Sequence, residues 1–113
     1  MALTILAPAL ALALQASPPL TLQQQTTVRC AAAFALVTED QASGDAEALQ
    51  YPVLGTRGKE FFVRALAQLM DETGMNREAI GALMTAEAQR LRAEVGVGDI
   101  MPGCLLLLDA SGF

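Results

Sequence analysis

Seven consecutive residues, Ala31-Ala32-Ala33-Phe34-Ala35-Leu36-Val37, carry no polar atom beyond the backbone. Seven residues are about two helical turns, so every side of such a helix is apolar. A helix apolar all round is buried all round, and the rest of the chain has to supply the elements that cover it. The four alanines in the run let those neighbours come close. Val28, Ala32, Ala35 and Leu36 repeat at helical spacing, and Cys30, Ala33, Phe34 and Val37 form a second stripe. A first helix is therefore expected from Thr21 to about Glu39, at the centre of an all-α fold.

The covering elements are legible downstream. Asp40 to Gly58 reads as a polar connection in which Pro52 pushes Tyr51 toward an extended conformation, with Thr56 as an N-cap. A second helix is expected over Arg57–Thr73. Phe62, Leu66, Leu69 and Met70 share one face, with Phe61 and Ala65 beside them. Glu60–Arg64 and Arg64–Gln68 pair on the wet side. Gly74 stops that helix. Asn76 caps a third, with Glu78 at its positive end. Ile80, Met84, Leu91 and Val95 carry its apolar stripe, and Glu87, Arg90 and Glu94 read as a solvated ion-pair face. Gly81 inside this helix costs about 1 kcal/mol relative to Ala, which points to a close helix crossing. The short link Gly74-Met75-Asn76 predicts an antiparallel hairpin. Gly96-Val97-Gly98 ends the third helix. Asp99 is expected to cap a short last element through Cys104 to Leu108, read as helix because no second strand is there to pair with it. The fold class that results is all-α, a small bundle of about four helices.

The N-terminus is of another kind. Residues 2–14, ALTILAPALALAL, contain no charge. A 13-residue helix is roughly 20 Å long, short of the ~30 Å core of a bilayer. The run fits the apolar region of a secretory signal peptide, with cleavage after Ala16. The segment before it has no Lys or Arg, which marks either a weak signal or a start codon further upstream. On this reading residues 1–16 are the signal, residues 17–113 form a single helical domain, no membrane span remains, and the protein is periplasmic or secreted. Its two cysteines, Cys30 and Cys104, lie near opposite ends of that domain. No C-x-x-C spacing is present, and in an exported protein an even count reads as a disulfide. Cys30 sits in the apolar first helix and Cys104 beside Leu105–Leu108. Both should face the core, with Cα atoms within about 7 Å of each other.

Composition removes several functions. The 113 residues include 7 basic and 12 acidic side chains, a net charge of −5, and no His. Nucleic acid as a partner is disfavoured, since phosphate binding needs a clustered basic surface. Without His the commonest metal ligand is missing, and no metal site or cofactor is expected. The serines at 17, 43 and 111 stand outside G-x-S-x-G, and nothing ties the sole lysine, Lys59, to any of them. Glu39-Asp40 and Asp71-Glu72 are adjacent in sequence and point to different sides of a helix end, so they read as solvating groups rather than paired catalytic carboxylates. No catalytic residue is assigned.

Met70, Met75, Met84 and Met101 fall in the C-terminal half. Flexible thioethers suit adaptable binding surfaces and also fill gaps in small cores. With Tyr51 and Phe61 they make the candidate partner surface, for an unidentified protein or for self-association. In size, signal, acidity and two distant cysteines the chain resembles small periplasmic helical proteins, acid-stress chaperones among them. The likeness is one of format and matches no motif residue by residue. The expected function is an exported protein-interaction domain. The alternatives are a periplasmic holdase-like stress chaperone and an enzyme working with carboxylates alone.

Overall fold

A computed structural model describes residues 19–113, the side chain of Val95 apart. The segment read as a signal peptide, with its cleavage point after Ala16, lies outside the described residues. Four α-helices follow in order: α1 (Leu22–Ala42), α2 (Gly55–Thr73), α3 (Arg77–Arg90) and α4 (Met101–Ala110). A 3₁₀ turn, Ala48–Gln50, sits between α1 and α2, and a π-turn, Leu91–Val95, extends α3.

Helix α1 begins with a reciprocal cap. Thr21 Oγ1 accepts from Gln24 N at 3.1 Å, and the Gln24 side chain accepts from Thr21 N at 3.0 Å, so two otherwise unpaired donors are satisfied. From Val28 onward the helix is buried almost all round. Ala31, Ala33 and Phe34 are completely covered, and Ala35 alone in the apolar run is exposed. Helix α1 touches α2, α3, α4 and the 3₁₀ turn, and α2 and α3 each pack more extensively on α1 than on one another. The expected α2–α3 hairpin is therefore a pair of helices held mainly by the helix between them. Gly74, at φ +73°, and Asn76, whose Oδ1 accepts from Ala79 N at 2.9 Å, end α2 and open α3 as the sequence predicts.

Four local expectations are corrected. Thr56 does not cap α2: the helix starts two residues earlier, after Leu54, a fully buried side chain whose N–H is already held by Gln41 Oε1 at 3.2 Å. Asp99 does not cap α4. Ile100 takes that place, and main-chain bonds from Ile100 N and Met101 N to Val97 O lead straight into the helix. Gly81 is not a crossing point, because a Cβ there would meet nothing within 4 Å. The close approach occurs at Gly58, where a Cβ would lie 3.4 Å from Thr38 Oγ1 and 3.6 Å from the Phe34 Cβ of α1. Finally, Arg64 makes neither of its expected i,i+4 pairs. Its guanidinium lies 4.6 Å from the centre of the Phe113 ring, and Gln68 donates to Glu72 instead.

One disulfide closes the bundle. Cys30 and Cys104 are bonded across 74 residues, with Cα atoms 5.2 Å apart. It joins the buried middle of α1 to α4, the helix with the least packing of its own. The core is finished by an edge-to-face string of rings, Phe34 to Phe61 at 5.1 Å and Phe61 to Phe113 at 6.5 Å. Arg57 ties down the far end, donating to the main-chain oxygen of Phe113 at 2.9 Å and to Asp109 at 2.6 Å.

Candidate functional site

A polar concavity lies where α1 ends. Gly44, at φ +79°, turns the chain out of α1, and Asp45 Oδ2 accepts from Ala48 N at 3.0 Å to start the 3₁₀ turn. That turn carries Glu47 and Tyr51 to one side. The opposite side is the π-turn and the Gly96-Val97-Gly98 bend. The wider π-turn is closed by a bond from Gly96 N to Leu91 O at 2.8 Å, and it aims Arg92 back at α1. Arg92 donates to both carboxylate oxygens of Asp40, at 2.8 and 2.9 Å. The cleft between these walls is about 310 Å³, and Asp40, Asp45 and Glu47 all line it.

Three acidic side chains around one cleft is the arrangement a carboxylate enzyme would require. The hydrogen bonds from Arg92 hold Asp40 below the usual carboxylate range, so Asp40 is not the raised carboxyl that general acid catalysis uses. Asp45 is engaged in capping the turn. Among the described residues no group of three or more His, Cys, Asp or Glu stands close enough to hold a metal ion. The cleft offers fixed acceptors, and Asp40 and Arg92 neutralise each other inside it.

Two other carboxylates are held low by the same kind of contact. Glu72 accepts from Gln68 at 2.9 Å and from Gln24 of α1 at 3.1 Å, and these bonds lower its pKa. Glu87 is lowered chiefly by Arg90, 2.6 Å away, and further by Arg29 of α1 at 3.5 Å. The expected ion-pair face of α3 is thus a contact with α1 as well, and Glu87 is only 16 % exposed. Asp40, Glu72 and Glu87 share one property: each links α1 to another element.

The structure turns much of the candidate partner surface into the core. Phe61, Met84 and Met101 are core side chains, and Met101 is wholly covered. Tyr51, Met70 and Met75 are half-buried and pack against that core. The thioethers act here as gap-fillers between helices, the other use of a flexible side chain. Large apolar groups that do reach water are Leu22, Leu49, Val53, Val63 and Leu106. Sequence reasoning missed Gln41. Its Nε2 donates to the main-chain oxygens of Ala48, Tyr51 and Pro52 at 3.0, 3.3 and 3.0 Å, and with the bond from Leu54 N it holds the whole connection from 48 to 54. No spacing or motif marks this residue, because its partners are main-chain atoms that any sequence supplies.

No family model, curated protein or solved structure matches the chain. Among the described residues no helix is long and apolar enough to cross a membrane.

Proposed function

We propose that the chain is an exported helical domain that works by binding another protein. The observation that carries this reading is the 48–54 connection. Leu49 and Val53 stand 58 % and 85 % exposed on it, yet the Gln41 amide pins the segment, its oxygen accepting from Leu54 N and its two N–H protons shared among the main-chain oxygens of Ala48, Tyr51 and Pro52. An apolar edge held in one shape loses little conformational freedom on docking, which favours association. Export is supported by the Cys30–Cys104 bond, since such a bond persists in an oxidising compartment. Two measurements test the proposal. The intact mass of the protein recovered from the cell envelope should lack residues 1–16, and retention of those residues would remove the export reading. A photo-crosslinking side chain at Val53 should give a discrete adduct with one protein in the producing cell. Its absence at both Val53 and Leu49 would remove the binding reading.

A second reading, a holdase-like chaperone released by acid, is favoured by Asp40, Glu72 and Glu87. Protonating these three carboxylates removes ties between α1 and its neighbours, and protonating all 12 acidic side chains leaves the 7 basic groups uncompensated. Light scattering of an aggregating client protein at about pH 2–3 tests it, a range below the ordinary carboxylate pKa. No suppression of aggregation by this chain would end that reading.

A further inference from the structure

The outer face of α2 carries a ridge of four exposed residues spaced four apart: Lys59, Val63, Ala67 and Asp71. Val63 is 59 % exposed, and neither Lys59 nor Asp71 takes part in an ion pair among the described residues. The ridge reads positive, large apolar, small apolar, negative. Reversed end for end, it is its own complement. Lys59, Val63 and Ala67 line a groove of about 710 Å³ that Phe113 also lines.

We propose that this face is the contact between two copies of the chain, with the α2 helices antiparallel about a two-fold axis level with Ala65. Ridges of residues four apart are the elements that interlock when two helices pack at about −50°. In that alignment Lys59 of each copy lies beside Asp71 of the other, and Val63 of each enters the gap over Ala67 of the other. A two-fold axis makes each favourable contact occur twice. The antiparallel arrangement also sets the positive end of one α2 beside the negative end of the other. Any other register breaks the match: displacing one copy by a full turn of helix puts Val63 against Val63 or takes Lys59 away from Asp71. The proposal does not rest on the Leu49–Val53 edge, so either can fail without the other.

Sedimentation equilibrium of the oxidised full chain, from about 10 µM to about 1 mM, reads the association directly. The wild-type chain should show a monomer–dimer equilibrium in this range. Lys59→Asp and Asp71→Lys should each weaken it by about tenfold or more, since each places two like-charge pairs across the axis. An equimolar mixture of the two variants should dimerise again, because every pair in the mixed dimer is then of opposite charge. Val63→Glu should abolish association outright, and thermal melts of all three variants should match the wild type. A chain that stays monomeric throughout, a dimer indifferent to both charge reversals, or a mixture that fails to recover would each overturn the proposal. Indifference to the reversals is also the outcome expected if association runs instead through residues 2–14.

Discussion

Arg92 grips Asp40 through both terminal guanidinium nitrogens, and so fastens the end of α1 to the π-turn that follows α3. The pair is half in water, with Arg92 47 % and Asp40 27 % exposed. Its contribution is therefore small at neutral pH, no more than about 1 kcal/mol. Its consequence appears in acid. Asp40, Glu72 and Glu87 all have pKa values lowered by the fold. A depressed folded-state pKa gives stability that is present above the unfolded value and is lost as pH falls through the folded one.

Stability should accordingly be flat from neutral pH down to about 4, where unfolded carboxylates titrate, and should fall steeply below it. Asp40→Asn should flatten part of that acid limb while lowering stability at pH 7 by no more than about 1 kcal/mol. Denaturant melts at several pH values measure both. A loss of stability beginning above pH 6 would contradict the assignment.

Gly81 sits mid-helix with open space where a side chain would be. Gly81→Ala should stabilise the protein by about 0.5–1 kcal/mol, from helix propensity and a less flexible unfolded chain. Gly58→Leu should do the reverse, since Thr38, Leu54 and Phe34 already stand 3.4–3.6 Å from the position of its Cβ. Overpacking of this kind costs about 1–3 kcal/mol. Chemical denaturation of the two variants is the check, and equal signs would show that the helix crossing is misplaced.

Gln41→Leu should cost about 1–3 kcal/mol, because the N–H of Leu54 is left without its partner beside a buried side chain. The 48–54 connection should become the first site of proteolysis, whereas in the wild type it should resist. Limited digestion followed by mass measurement decides this. An unchanged cleavage pattern would mean that the connection is held by something other than the Gln41 amide.

Reducing the Cys30–Cys104 bond should lower stability by about 2–4 kcal/mol. The loss should fall on α4. Helix α1 is gripped by α2 and α3 whether or not the bond exists, whereas α4 has few contacts besides it and the Arg57 hydrogen bonds. Amide exchange in the reduced protein should accelerate first over Met101–Ala110. A melt indifferent to reductant would remove the staple from the energetics of the fold.

The residues of Ala31–Val37 determined by themselves that α1 would be central, since a helix without a polar side has no face to give to water. Helical spacing and the stop at Gly74 with the cap at Asn76 determined α2 and α3, because both signals act within one turn of the chain. Two cysteines placed in apolar stretches determined their own pairing for a related reason: burial alone brings them together. The rest depended on contacts between residues far apart in sequence. Whether Met84 and Met101 fill the core or line a surface depends on how much room the neighbouring helices leave. Gly58 and Gly81 look alike in the chain, and only the path of α1 makes one of them a crossing. Gln41, Arg92 and Glu72 acquire their roles from partners 7 to 52 residues away. Such bonds follow from three-dimensional proximity, and no local pattern encodes it.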